Sequence, residues 1–316
     1  MSVLVALPEH LYPADAFAGF DPGRGAAPDN ARAMAWAAQA AYESDDPDKA
    51  RRLCDRWGFE LAAAVSAASD GLLPAASTRA LVARRHDVAW LAFQGTDPLV
   101  AANWITDLDA RRGADGVARG FRQALDVAWP EIAAILGRAA IAGRPLFVSG
   151  HSLGGSLAVL AALRLATEPA AGGRPAAVFT FGMPRTGDAG FAARYDACGL
   201  TGRTLRLVYG RDVVPAVPPS ELGFRHVGRR WSCPRGERFD PAAIAEAPDD
   251  EPHLATLLPA ALRRLLQEPG PAGPHVGPAR TDAAGRIIDA LPGELRDHIP
   301  DRYWTALARP AAAPGP

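Results

Sequence analysis

The pentapeptide Gly150-His151-Ser152-Leu153-Gly154 is where residue type and spacing in this 316-residue chain first point to chemistry. It fits G-x-S-x-G, a pattern short enough to arise by chance in roughly one chain in ten of this kind. The setting carries more weight than the match. Before it, Pro145-Leu146-Phe147-Val148-Ser149-Gly150 suits a buried strand, and the apolar run after it, residues 152–167, suits a buried helix. A serine on the tight turn between them has its Oγ clear of the backbone, the setting of a nucleophile elbow. The N–H of Leu153 would point into the site, where the helix N-terminus favours negative charge, so Leu153 is a candidate oxyanion donor. The plainer reading is a glycine-rich turn with a helix-capping serine.

A serine hydroxyl is a weak nucleophile until a histidine accepts its proton and a buried carboxylate orients that histidine. Asp212 follows the predicted strand over residues 204–209, at the strand end where ligand sites form in open α/β sheets. Its plainer role is a turn aspartate paired with Arg211. Seven histidines compete for the base. His10 and His86 precede the serine, and His151 adjoins it in the wrong direction. His226 falls in a predicted strand over residues 222–227 and reads as structural. His253 starts a predicted helix, His275 sits in a Pro/Gly loop, and His298 comes just ahead of a short amphipathic C-terminal helix. On the residues alone, His298 has His226 and His253 as rivals.

The elements that must position these residues alternate. Asp29 or Asn30 can cap a helix running to about Tyr42, and a second helix covers residues 48–57. Residues 79–85 and 88–95 read as a hairpin, and residues 120–140 as a helix kinked at Pro130. Strands at residues 145–150, 176–182 and 204–209, with a helix between the first two, imply parallel pairing through crossovers and hence an α/β sheet.

With 34 basic and 35 acidic residues the formal charge is −1, which argues against a nucleic-acid or anionic-membrane binder. Lys49 is the one lysine. Cys54, Cys198 and Cys233 are odd in number and lack CxxC spacing, so neither a disulfide framework nor a zinc site is expected. There is no run of 18 apolar residues and no standard secretory signal, so no transmembrane segment is expected. The default expectation is a cytoplasmic protein, with signal-free export left open.

Taken together, the motifs resemble the class 3 lipases, the fungal-type triacylglycerol lipases and their relatives. Residues 148–155 are similar to the family's elbow. So are Phe93-Gln94-Gly95-Thr96, Asn103-Trp104-Ile105-Thr106-Asp107-Leu108, residues 179–187 (FTFGMPRTG), Arg211-Asp212-Val213-Val214-Pro215, and Asp297-His298-Ile299-Pro300-Asp301-Arg302-Tyr303, in the family's order. The resemblance implies an α/β-hydrolase fold, a mostly parallel central sheet flanked by helices. It implies a triad of Ser152, Asp212 and His298, a second oxyanion donor at Thr96 in the loop after the strand ending at Gly95, and a lid carrying Leu99, Val100 and Trp104. It departs from the family at Gln94, where arginine is usual before the glycine, and at Val117-Ala118-Arg119-Gly120-Phe121, which lacks a histidine.

The expected organisation is a lead-in (residues 1–28), one hydrolase domain (29–308) with an insertion at about 234–293, and a disordered tail (309–316). The expected activity is serine carboxylester hydrolysis of lipid esters through an acyl-enzyme on Ser152. A soluble short-chain esterase or a phospholipase A1-type activity is the alternative, and a catalytically idle interaction module comes from another class. The expected partners are a lipid or small-molecule ester and, transiently, a lipid surface, with no metal or cofactor.

Overall fold

The structure, a computed structural model, describes residues 5–68, 77–96, 111–138, 141–168, 173–246, 291 and 293–308. The candidate lid residues Leu99, Val100 and Trp104, the histidines His253 and His275, most of the 234–293 stretch and the tail after Ala308 lie outside the described residues.

Eight strands form one sheet in the order β1-β2-β3-β4-β5-β7-β9-β10. They are β1 (Glu60–Ala68), β2 (Ser77–Arg84), β3 (Ala89–Phe93), β4 (Leu146–His151), β5 (Ala177–Phe181), β7 (Thr204–Tyr209), β9 (Arg229–Cys233) and β10 (Ile244–Ala245). The pairings from β3 through β4, β5 and β7 to β9 are parallel, while β1–β2, β2–β3 and β9–β10 are antiparallel. A separate two-stranded pair joins β6 (Gly187–Asp188) to β8 (Phe224–Arg225). The predicted hairpin and the α/β class are both present, with β1 and β9 added.

Strands β3, β5 and β7 are buried at every position, as parallel strands covered on both faces must be. Alternation then sorts their side chains into two cores. Ala89, Leu91, Phe93, Val148 and Val178 face one core, with helices α3 (Arg119–Leu136) and α4 (Leu153–Thr167). Trp90, Ala92, Phe147, Phe179 and Leu207 face the other, with α1 (Pro28–Ala40) and α7 (Pro300–Ala306). The remaining helices are α2 (Pro47–Arg56), α5 (Ala189–Ala197) and the short α6 (Gly293–Arg296). Pro130 lies inside α3.

The start of α1 differs from the sequence reading. Pro28 occupies its first turn and no side chain caps it. Asn30 is buried, and its amide donates to the Asp21 and Gly25 carbonyls while accepting from the Asp21 N–H. It fastens the loop before the helix instead of capping the helix. In α2 the capping residue is Asp46, which accepts from the Lys49 N–H.

Residues 5–20, read from the sequence as part of a lead-in, reach the second core through Leu7, Tyr12, Phe17 and Phe20. Buried Glu43 holds them. Its Oε1 accepts from the Leu7 N–H (3.0 Å) and the Tyr12 hydroxyl (2.6 Å), and its Oε2 accepts from Lys49 Nζ (2.7 Å). Lys49 donates again to the Leu7 carbonyl at 2.6 Å. Removing one member of such a buried pair strands the other, so Glu43→Ala is expected to lower stability by about 3 kcal/mol. Urea unfolding and limited proteolysis check this: the variant should be cleaved within residues 5–20 under conditions that leave the wild type intact.

Candidate functional site

Ser152 joins the C-terminal end of β4 to the N-terminus of α4, with φ 58 and ψ −130. Among the described residues it is the one non-glycine at positive φ. Such a conformation costs on the order of 1–3 kcal/mol and persists only where its surroundings over-determine it. Here the Ser152 N–H donates to the Phe181 carbonyl (2.8 Å) and its carbonyl accepts from the Gly155 N–H (2.9 Å). A Cβ on Gly154 would lie 2.4 Å from the Phe93 carbonyl oxygen, and one on Gly150 would lie 2.1 Å from the Gly154 carbonyl oxygen. The small residues of the motif therefore let the turn press against β3 and against itself.

The Ser152 Oγ lies 2.8 Å from His298 Nε2, and His298 Nδ1 lies 2.8 Å from Asp212 Oδ2. All three residues are buried. Asp212 follows β7, and His298 stands between α6 and α7. Because the Asp212 carboxylate only accepts, Nδ1–H donates to it and Nε2 is left to accept from the serine hydroxyl. Asp212 Oδ1 accepts from the Val214 N–H at 2.9 Å. The structure thus brings the sequence-predicted serine, acid and base into one hydrogen-bonded chain.

Leu153 opens α4 directly after the serine. Thr96 follows Gly95, whose Cβ position would lie 3.0 Å from the Ser152 Cβ and 2.4 Å from the His151 carbonyl oxygen. Only a glycine brings the chain just after β3 this close to the Ser152 turn. Gln94, which departs from the family's usual arginine, accepts from the Ser44 hydroxyl at 3.0 Å.

Two further groups complete the site. Tyr303 has no role on the sequence alone, yet its hydroxyl donates to Asp212 Oδ2 at 2.5 Å and accepts from the Tyr209 N–H at 3.3 Å. Burial, and then the Asp212 charge, push the Tyr303 phenol well above its ordinary value, so it stays a donor. The His151 ring lies against His298, tilted by 34°, with ring centroids 4.6 Å apart. Its Nε2–H donates to the His298 carbonyl (2.6 Å), so its Nδ1 accepts from the Tyr42 hydroxyl (2.8 Å). Burial, with the nearby His298, holds its pKa well below the ordinary value. The sequence signal for either partner is weak, since Tyr42 and His151 are 109 residues apart.

The other described histidines stand apart. His226 is buried and bonds the Pro215 carbonyl through Nε2 at 2.8 Å. Burial, then Arg206 and Arg185, lower its pKa well below the ordinary value. The His86 side chain is 89% exposed at the hairpin turn. Among the described residues no group of three or more His, Cys, Asp and Glu could hold a metal, no helix is long and apolar enough to cross a membrane, and the three cysteines are free.

Comparison with known proteins bears out the class 3 lipase resemblance. Residues 90–222 match the family described as Lipase (class 3). The chain is 37% identical over 141 residues to a secreted mono- and diacylglycerol lipase of Fusarium solani, covering 41% of this chain and 39% of that one. It is 47% identical over 87 residues to a secreted mono- and diacylglycerol lipase of Malassezia restricta (27% and 28% covered) and 32% identical over 165 residues to a lipase of Rhizomucor miehei (49% and 44% covered). The chain thus spans less than half the length of these curated relatives. Among solved structures, the Rhizomucor miehei lipase propeptide complex aligns with TM-score 0.52 and 25% identity over 63% of this chain and 65% of that one. The lipase of Rhizopus microsporus aligns with TM-score 0.51 and 23% identity over 71% and 80%, a likeness of fold alone. The fold is the α/β-hydrolase fold expected. The cytoplasmic expectation is overturned: the Fusarium and Malassezia relatives are both named secreted lipases.

Two outcomes follow from the site geometry. Tyr303→Phe removes one donor to a buried carboxylate, a bond of about 1.5–3 kcal/mol. It is expected to slow the reaction of Ser152 with a fluorophosphonate at least tenfold, read by the labelling time course. The second concerns acid stability. His226 is held neutral when folded but takes a proton near pH 6.5 when unfolded, so the unfolded state binds more protons as pH falls. Full stability is present above about pH 6.5 and declines below it, by about 1.4 kcal/mol per pH unit for each such histidine. Urea unfolding at pH 7 and pH 5 should therefore show a smaller acid-side loss in His226→Gln than in wild type. Parallel losses would contradict it.

Proposed function

With a class 3 lipase segment at residues 90–222 as the premise, we propose that the chain is a serine carboxylester hydrolase acting on lipid esters, acylglycerols above all. The observation that carries this is His298 bridging the Ser152 Oγ and the Asp212 carboxylate at 2.8 Å on each side. In this reading His298 Nε2 takes the hydroxyl proton as Oγ attacks the ester carbonyl. The N–H of Leu153, at the N-terminus of α4, and the Thr96 N–H and hydroxyl receive the charge that develops on the carbonyl oxygen. His298 then hands its proton to the leaving alcohol, which departs and leaves an acyl group on Ser152. Water, deprotonated by the same imidazole, attacks that acyl ester, releasing the fatty acid and restoring the serine. Asp212 stays ionised throughout, stabilising the imidazolium and fixing the tautomer.

The preference for acylglycerols rests on the names of the Fusarium and Malassezia relatives, and so does a place outside the cell. A phospholipase A1-type activity is the second reading, favoured by 31% identity over 154 residues to a rice phospholipase A1-II. A transient encounter with a lipid surface belongs to either reading.

Ser152→Ala should keep the fold and lose several orders of magnitude in ester turnover, since one triad member removes most of the rate. The assay is hydrolysis of short- and long-chain p-nitrophenyl esters, monoacylglycerol, triacylglycerol and phosphatidylcholine, with and without micelles, alongside fluorophosphonate labelling. Labelling at Ser152 with preferential acylglycerol turnover is expected. Turnover confined to soluble short esters would move the reading to an esterase. An unlabelled wild type, or Ser152→Ala at a tenth of wild-type turnover, would overturn it.

A further inference from the structure

The residue before the base reaches the residue before the acid. Asp297, adjacent to His298, accepts the main-chain N–H of Arg211, adjacent to Asp212, through Oδ2 at 2.7 Å. The Asp297 side chain is 4% exposed. Gly210 makes the approach possible: it has φ 58, and a Cβ there would lie 2.3 Å from Asp297 Oδ2. The far side of the carboxylate is closed by Arg235, whose Nε lies 2.9 Å from both oxygens and whose Nη2 lies 2.6 Å from Oδ2. The Asp297 N–H in turn donates to the Gly293 carbonyl at 2.9 Å, closing the turn of α6.

We infer that Asp297 is a positioning residue, clamping the segment that carries the base to the loop that carries the acid, with Arg235 holding the clamp charged and in place. This rests on the proposed reading of Ser152, Asp212 and His298. Among the described residues, the His298 and Tyr303 side chains also tie to the Asp212 carboxylate, and the Tyr303 hydroxyl accepts from the Tyr209 N–H at the end of β7. The Asp297–Arg211 bond adds a tie at the main chain of the acid loop. It fixes where Asp212 starts before its carboxylate meets the imidazole. The Arg235 charge has a second use. Asp297 places a second carboxylate near Asp212, and burial pushes the Asp297 carboxyl up from its ordinary value. The guanidinium opposes that rise and pairs the charge locally, leaving the imidazolium to be stabilised by Asp212. The Arg235 guanidinium also packs on Gly293, where a Cβ would lie 2.9 Å from Nη2.

The test compares wild type with Asp297→Ala, Asp297→Asn and Arg235→Gln, each first checked for fold by circular dichroism. The readouts are kcat and KM for an ester, and the low-field proton resonance of the His298 Nδ1–H bond. Small misplacements of catalytic groups cost up to about 10²-fold in rate. Asp297→Ala should lower kcat by about that factor, with KM within about twofold, and should shift or broaden the resonance. Asp297→Asn, whose amide oxygen still accepts the Arg211 N–H, should recover most of kcat. Arg235→Gln should fall between them. The clamp is wrong if Asp297→Ala keeps wild-type kcat and an unmoved resonance; should that variant not fold, the same result in Arg235→Gln overturns it. A wild type that hydrolyses no ester defeats the proposed function instead, and the resonance then still reads the clamp.

Discussion

Ser152 is held in a backbone conformation that its own Cβ disfavours, and much of the site is arranged around that strain. The turn is fixed from both sides: β5 accepts its N–H through Phe181, and α4 returns a bond through Gly155. Gly150 and Gly154 are glycine because backbone atoms occupy the space of a side chain. Gly95 extends the same crowding to the end of β3. The elbow therefore requires β3, β4 and β5 to be adjacent and parallel, and two cores to fill both faces of the sheet.

Among Ser152, His298, Asp212 and the side chains that touch them, the buried polar groups are paired with one another. Asp212 meets His298, Tyr303 and the Val214 N–H; His298 meets Ser152; His151 meets Tyr42 and the His298 carbonyl. An ionised carboxylate is tolerable there because its donors replace water. His151 contributes by being uncharged: burial holds its pKa well below the ordinary value, so in the proposed reaction the ring beside His298 adds no second positive charge.

What the sequence made legible follows from how each element is stabilised. The strands at residues 145–150, 176–182 and 204–209 stand out because burial on both faces demands an unbroken apolar run, and G-x-S-x-G stands out because backbone contact excludes larger residues. Asp212 and His298 were reachable through ordered motifs, not periodicity. Strand β1 went unread, since Glu60–Ala68 is mostly alanine and carries little of the β-branched bias of strands. Strand β9, Arg-Arg-Trp-Ser-Cys, opens on two consecutive arginines and has no β-branched residue. The helix α1 was found but its cap misassigned, because Asn30 serves a loop nine residues back, and nothing local distinguishes that from capping. Tyr303, Tyr42 and Asp297 act across chain separations of 91, 109 and 86 residues, which only the folded sheet brings together.

If Ser152 and His298 act as one unit, removing either should forfeit nearly everything the pair supplies. The direct measurement is ester turnover by Ser152→Ala, His298→Ala and the double variant, each verified as folded. The account predicts losses of several orders of magnitude for each single variant, and a double variant slower than either by no more than a few-fold. Losses that multiply in the double variant, or a His298→Ala protein close to wild type, would contradict it.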